Sequence, residues 1–375
     1  MTGKKLWIVA GCILLAAALV AGGFFLGQET EASRNREEQE LNHRLHRSDL
    51  EGLEAFEGTI YVTGHQSPDS DTVASSIGYA ELLRKLGYEA VPVILDSLNR
   101  ETAWLLQAAG VEVPQLLEDA SGRNMVLVDH SEYSQSVQGL EDARILGIID
   151  HHGVGSVTSA IPLIYDAKPI GAAATVVWMR YRDCGFEPDR PTAYAMLGAI
   201  LSDTSNFKSA STTFADREAV RTLSALAGVT DTDALYQQLF KASLSYEGMA
   251  DDEILVNDYR EYECAGRKYG IGVVNVYDES EVKEMIARMR NALPKAAASG
   301  GMDMVFAQIS IFHDDLSITY LVPSNAAAAE VLRTAYPASD RVTYDGDVCR
   351  LEPGISRKKD LVPAITAVLE AVPTE

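Results

Sequence analysis

The octapeptide GHQSPDSD, residues 64–71, brings His65, Asp69 and Asp71 within seven residues of one another. One imidazole and two carboxylates at that spacing are donors suited to a hard or borderline divalent cation. Three later stretches carry the same residue types. MVLVDHSE (125–132) ends in Asp129 and His130, ILGIIDHH (145–152) ends in Asp150, His151 and His152, and AMLGAILSDT (195–204) holds Asp203. Each residue alone is explained equally well by a helix cap, a turn or a satisfied buried polar group. Taken together, His65, Asp69, Asp71, Asp129, His151 and Asp203 form a ligand set of two imidazoles and four carboxylates. No thiolate is placed with them, which argues against a soft-metal site. Six side chains are too many for one catalytic ion with open positions. They suit two divalent ions about 3.5–4 Å apart that share a bridging carboxylate. Such a pair acidifies a bridging water and clamps both oxygens of an in-line phosphoryl displacement.

These residues need a scaffold that gathers them. TIYVT (59–63) is mostly β-branched or aromatic, and the residues after the octapeptide place Val73, Ile77, Ala80 and Leu83 at helical spacing. The segment therefore reads strand, short loop, helix, with Pro68 stiffening the loop and Asp71 capping the helix. Residues 125–128 and 145–149 are apolar runs suited to buried strands. Amphipathic helical stretches lie at 72–86, 101–109 and 172–182. This alternation predicts an α/β fold, a doubly wound parallel sheet with helices on both faces. Right-handed connections bring successive strand ends to one rim, so the six residues can converge there.

With 375 residues, 47% of them hydrophobic, the chain can form two domains with sizeable cores. There are 54 acidic and 32 basic residues, and the net charge of −22 argues against nucleic acid as a partner. Cys12, Cys184, Cys264 and Cys349 form no CxxC pair, so neither a zinc ribbon nor a disulfide framework is indicated. Residues 6–27 are uncharged and follow Lys4 and Lys5, so residues 1–27 are read as a transmembrane anchor. Residues 28–56 are polar and are read as a stalk. Charge on the two flanks gives opposing signals for orientation, with a slight lean to an extracytoplasmic catalytic domain. Residues 57–245 are read as the catalytic domain. Residues 246–375 are read as a smaller mixed α+β domain, with strands at 269–276, 302–312 and 316–323 and helices at 278–297, 325–335 and 359–371. Gly248 is a candidate hinge between the two.

GHQSPDSD, LVDHSE, the Asp-His-His of residues 150–152 and LSDT together resemble the DHH phosphoesterase superfamily. Near the C-terminus, GISRKKDLVPAIT (354–366) contains Ser356-Arg357-Lys358-Lys359, which resembles the SRKK signature of the manganese-dependent (family II) inorganic pyrophosphatases. The resemblance runs from about residue 58 to 372, with the motifs in the family's order. It implies a DHH domain followed by a DHHA2 domain that closes over it, and hydrolysis of pyrophosphate to two phosphates. By the same resemblance, His65, Asp69 and Asp129 hold a first metal, and Asp71, Asp129, His151 and Asp203 a second, with Asp129 bridging. His152 contacts substrate and helps protonate the leaving phosphate, whereas Asp150 and His130 orient ligands. Arg357 and Lys358 clamp the substrate, and Arg260 in NDYREY stands where the family has a lysine. A fork and a point charge also suit a compact polyanion on physical grounds. The cofactor implied is a pair of Mn2+ ions, with Co2+ or Mg2+ admitted by the same ligands. The partner implied is a second copy of the chain, through the DHH domain. Where the family motif usually has Asn, this chain has Ser67.

Two related activities stay open: a phosphodiesterase of the same superfamily acting on nucleotides, and a hydrolase of tripolyphosphate or short polyphosphate. The former typically carries a GGGH-type motif. Here Gly300-Gly301 lacks a following His. A membrane-tethered scaffold with a decayed site is a third reading, opposed by the intact ligand set.

Overall fold

The computed structural model describes residues 33–51, 56–313 and 316–371. The chain divides into two compact units between Leu239 and Phe240. In the first, residues 33–47 form helix α1. Then follow β1 (Ile60–Thr63), α2 (Ser70–Lys85), β2 (Ala90–Ile94), α3 (Arg100–Ala109), β3 (Gln115–Leu116), β4 (Asn124–Val128), β5 (Arg144–Asp150) and β6 (Ile164–Ala167). Helices α4 (Ala173–Cys184), α5 (Arg190–Asp203) and α6 (Phe214–Ala227) complete it, and the boundary falls within α7 (Thr232–Ser243). The strands form one sheet in the order β3-β2-β1-β4-β5-β6, and every neighbouring pair is parallel. From β1 the chain winds outward to β3, then returns to β4 and winds the other way. The switch point lies between β1 and β4, and the carboxyl ends there form the crevice where such sheets hold ligands.

Alternation distributes the core over both sheet faces. Ile60, Val62, Val126 and Val128 face the cluster built with α2, α4, α5 and α6. Met125, Leu127, Ile145 and Ile148 face a second cluster, closed by Leu117, Ala120, Val137 and Leu140 from the connecting segments. A register shift in the β4–β5 pair, where Met125 opposes Ile145 but Val126 opposes Gly147, leaves Leu146 as the extra residue. That bulge is why Ile145 and Ile148, three apart, share a face.

The second unit contains α8 (Asp251–Asn257), β7 (Tyr259–Cys264), β8 (Arg267–Val276), α9 (Glu279–Gly300), β9 (Met304–His313), β10 (Leu316–Pro323), α10 (Ala326–Ala335), β11 (Val342–Asp345), β12 (Val348–Leu351) and α11 (Val362–Ala371). Its sheet runs β11-β12-β10-β9-β8-β7; β8 and β9 are parallel, and the other pairs antiparallel. Helices α8 and α9 cover one face, α10 and α11 the other. The architecture is the expected two-domain α/β arrangement, a parallel sheet followed by a mixed one. Gly301, at φ +60°, is the left-handed cap that ends α9, so the Gly300-Gly301 pair has a structural role.

The expectation of a membrane-anchored protein is corrected. The anchor assigned to residues 6–27 lies outside the described residues. Among the described residues, no helix is long and apolar enough to cross a membrane. The long α9 is too rich in charge for that role, with Glu279, Glu281, Lys283, Glu284, Arg288 and Arg290 along it.

Candidate metal centre

Each predicted ligand sits at a carboxyl end of the sheet or on a helix end beside it. His65 lies two residues past the end of β1, after Gly64. Asp69 is the N-cap of α2, its side chain accepting from Thr72 N at 2.9 Å. The sequence places that cap at Asp71 instead. The helix starts at Ser70, so Asp71 falls in the first turn with its side chain turned inward. It is 2% exposed and accepts backbone N–H bonds from Ala173 (2.6 Å) and Ala174 (2.9 Å) at the start of α4. Asp129 follows β4 with φ +62°, a left-handed backbone that Asp tolerates better than most residues. Thr72 Oγ1 donates to Asp129 Oδ2 at 2.7 Å. Gly64 permits that approach, since a Cβ there would lie 2.3 Å from Thr72 Cγ2.

Both candidate imidazoles present Nε2 inward. His65 Nδ1 bonds the Gln66 carbonyl at 2.7 Å, and His151 Nδ1 bonds the Ile170 carbonyl at 3.1 Å. A carbonyl on Nδ1 fixes the tautomer in which Nε2 can ligate a metal. His65 Nε2 lies 3.4 Å from Asp129 Oδ2 and 3.6 Å from Asp69 Oδ2. His151 Nε2 lies 3.2 Å from Asp129 Oδ1, 3.4 Å from Asp203 Oδ2 and 3.8 Å from Asp71 Oδ2. The six residues thus form two groups able to hold a cation, His65/Asp69/Asp129 and Asp71/His151/Asp203; a third, Asp129/His151/His152, overlaps both.

Asp129 Oδ1 and His151 Nε2 are buried without a hydrogen-bond partner. They lie 3.2 Å apart, within ion-pair reach of each other, and belong together to one group able to hold a cation. Buried polar atoms are seldom left without a hydrogen-bond partner. Oxygen and imidazole donors converging on one space fit divalent cations of the Mn2+, Co2+ or Mg2+ type.

Charge crowding shows in the titration of these groups. Burial disfavours the His65 cation, yet Asp129 and Asp69 outweigh it and raise its pKa to about 11. His151 is raised to about 10 against its burial by Asp129 and Asp71. Asp129 would be raised by burial, but His151 and His65 hold it well below the usual range. Burial, then repulsion from Asp129, raises Asp203 to about 6 and pushes Asp71 well above the ordinary carboxylate value.

The flanking residues orient this set. Asp150 Oδ1 accepts from the backbone N–H of His151 (2.7 Å) and of His152 (3.0 Å), and lies 3.1 Å from His152 Nδ1. The His152 side chain is 57% exposed, and its hydrogen bond with Asp150 raises its pKa. His130 is buried, with Nδ1 at 3.0 Å from the Val128 carbonyl and Nε2 at 2.9 Å from Ser136 Oγ. Ser67 is exposed at φ +54°, a conformation that suits Asn better than Ser.

In the second unit, Arg357 begins a wide π-type turn, Arg357–Leu361, capped by Ser356. Its guanidinium donates to the Asp258 carbonyl (2.7 Å) and to Asp258 Oδ1 (2.8 Å). Lys358 is exposed beside it. Arg260 is exposed on strand β7, in a stretch the sequence marks only as polar. Sequence reasoning missed Thr72 and Asp258, which bond Asp129 and Arg357, and Glu101 and Asp216, which bond Ser70, Ser202 and Gly171 in the segments around the candidate ligands. Thr72, three residues after the Asp69 cap, had a signal in its spacing; the others had none.

A carboxylate–histidine cluster at the switch point of a parallel sheet, followed by a mixed-sheet unit, defines a DHH-type protein of two domains. Residues 59–202 match the DHH family, N-terminal domain, and residues 237–368 match the DHHA2 domain. The manganese-dependent inorganic pyrophosphatase of Bacillus subtilis is 33% identical over 309 residues, covering 82% of this chain and 97% of that one. That of Methanocaldococcus jannaschii is 34% identical over 315 residues, covering 81% and 97%. A solved Methanococcus jannaschii structure, assigned to the family II inorganic pyrophosphatases, matches with a TM-score of 0.50 at 32% identity, covering 83% of this chain and all of that one. The chain belongs to the manganese-dependent inorganic pyrophosphatase family.

Proposed function

We propose that this protein hydrolyses inorganic pyrophosphate to two phosphates, using two divalent cations, Mn2+ first among them. The observation that carries this reading is the pair of groups His65/Asp69/Asp129 and Asp71/His151/Asp203, joined by the overlapping group Asp129/His151/His152, with Asp129 Oδ1 and His151 Nε2 buried without a hydrogen-bond partner. His65, Asp69 and Asp129 would hold one ion, and Asp71, Asp129, His151 and Asp203 the other. Bound there, the ions supply an acidified water and neutralise phosphoryl charge. The chain's own residues do the rest. His152, turned toward solvent with Nδ1 at Asp150, keeps Nε2 for substrate, and its raised pKa lets it carry a proton to the leaving phosphate. Arg357 uses part of its fork on Asp258 and keeps its other N–H groups for phosphate oxygens. Lys358 and Arg260 add cationic contacts. Pairing of two copies through the first unit belongs to the same reading, and β6, an edge strand of that sheet, is consistent with it.

The test is phosphate release by the full chain, stripped of metal and reloaded with Mn2+, Co2+ or Mg2+, from pyrophosphate, tripolyphosphate and a cyclic dinucleotide. Fastest turnover on pyrophosphate with Mn2+ is expected. A preference for the cyclic dinucleotide overturns the assignment, and a preference for tripolyphosphate moves it to a polyphosphatase.

A further inference from the structure

Glu101 lies in the first turn of α3, outside every ligand group described above. Its Oε1 accepts from Ser70 Oγ at 2.9 Å and from Ser202 Oγ at 2.5 Å. Ser70 stands between Asp69 and Asp71, and Ser202 directly precedes Asp203. One carboxylate oxygen therefore joins the N-terminal turn of α2 to the C-terminal turn of α5. Those turns carry three of the six candidate ligands, drawn from both cation groups. Thr102 Oγ1 adds a contact at 3.2 Å to Ser70 Oγ. The start of α3 is itself fixed, because Asn99 Oδ1 accepts from Thr102 N at 2.8 Å.

We propose that Glu101 is a positioning residue that sets the spacing between the two cation groups. It acts through the two serines and touches neither substrate nor the candidate ligand atoms. A serine hydroxyl has a single proton, and both serines give theirs to this one oxygen. Rotation of either helix end would break a bond, so the brace holds Asp69 and Asp71 at a set distance from Asp203. Groups that orient metal ligands typically contribute 10- to 100-fold to metal affinity. This role rests on the metal reading proposed above.

An amide oxygen can accept both hydroxyls without carrying charge, so Gln and Ala at this position separate bracing from electrostatics. Mn2+ binding to the metal-stripped full chain is followed by the electron paramagnetic resonance signal of free Mn2+, alongside thermal melting of the metal-free proteins. Glu101→Ala is expected to weaken the weaker-bound Mn2+ roughly tenfold or more. Glu101→Gln is expected to stay within about threefold of wild type, restoring what Ala loses. Unchanged Mn2+ affinity in Glu101→Ala overturns the brace. So does a Gln variant that falls as far as Ala, since the missing charge would then explain the loss. If Glu101→Ala does not melt cooperatively, the Ser70→Ala/Ser202→Ala double variant decides: weakened affinity supports the brace, and normal affinity overturns it. A wild-type chain that binds no Mn2+ overturns the metal reading and the brace with it. A wild-type chain that binds two ions beside an unaffected Ala variant overturns the brace alone.

Discussion

Loading the metal centre should expel protons, and the metal-free charges set how many. His65 titrates at about 11 and His151 at about 10, so near pH 7 both imidazoles are cations. Each must lose its proton before Nε2 can ligate. Asp203, at about 6, is already mostly ionised near pH 7 and adds roughly a tenth of a proton. Asp71, held well above the usual range by burial and by repulsion from Asp129, adds up to one more. Two Mn2+ ions per chain should therefore release roughly two to three protons near neutral pH. The sign follows directly. Raised histidine pKa values mean that protons compete with metal more strongly as pH falls, so affinity rises with pH. The slope is at least roughly tenfold per pH unit for each ion, steeper for the one that also displaces a proton from Asp71, and the histidine part flattens once pH passes about 10 to 11. In the metal-free protein the same shifts stabilise the fold below about pH 6.5, and that contribution is lost as pH rises through about 10 to 11. Isothermal titration calorimetry in buffers of different ionisation enthalpy counts the protons directly. Release of fewer than one proton per chain, or an affinity indifferent to pH between 6.5 and 8.5, would refute the raised metal-free pKa values of His65 and His151.

Three further outcomes are expected. Asp129→Asn keeps a residue that tolerates φ +62° but removes the charge common to two ligand groups; Mn2+ stoichiometry should drop below two and turnover be abolished, with the circular dichroism spectrum unchanged, and near-normal turnover would sink the two-ion reading. Arg357→Ala or Lys358→Ala should lower kcat/KM for pyrophosphate about ten- to a hundredfold, a charge-assisted contact of roughly 1.5–3 kcal/mol, with Mn2+ content unaltered; normal hydrolysis by both variants makes SRKK a surface cluster. Asp216→Ala should lower thermal stability by roughly 2–3 kcal/mol, because the buried donors of Gly171 and Thr175 and the half-buried N–H of Thr213 lose their acceptor; an unchanged melting curve would show that water replaces it.

The candidate ligand set was legible because three of its six members, His65, Asp129 and His151, follow apolar strands, Asp69 and Asp71 lie in the same octapeptide as His65, and parallel topology sends such strand ends to one rim. Asp203, at the end of an apolar helical stretch, was legible for the same reason of sharp contrast. The supports were not legible. Asp71 meets Ala173 and Ala174 more than a hundred residues away, and no local pattern marks that pairing. Glu101 reads as an ordinary charge in a helix's first turn. Strands β7, β11 and β12 escaped for another reason. β7 (YREYEC) and β11 (VTYD) have no fully buried position, and β12 is only four residues long. The two edge strands thus lack the apolar face that reveals a strand in sequence.

The contact between Asp71 and α4 explains how a fully buried carboxylate is kept in a site already crowded with acids. Helix α4 has no side-chain N-cap, since Ala172 occupies that position, and its first N–H groups would otherwise be orphaned. Asp71 takes two of them, so this candidate ligand caps the helix in trans, and the positive end of the helix favours its ionised form. The same short segment supplies the Ile170 carbonyl that fixes the His151 tautomer. Asp216 pins it from the other side, accepting from Gly171 N at 3.0–3.1 Å and from Thr175 Oγ1 at 2.7 Å. Gly171 has no room for a side chain there, as a Cβ would meet Thr204 Cγ2 at 2.5 Å. Residues 170–175 thus hold one candidate ligand from α2 and another from the end of β5 in a single rigid frame. The second cation group owes its geometry as much to the entry of α4 as to the strand ends that display its ligands.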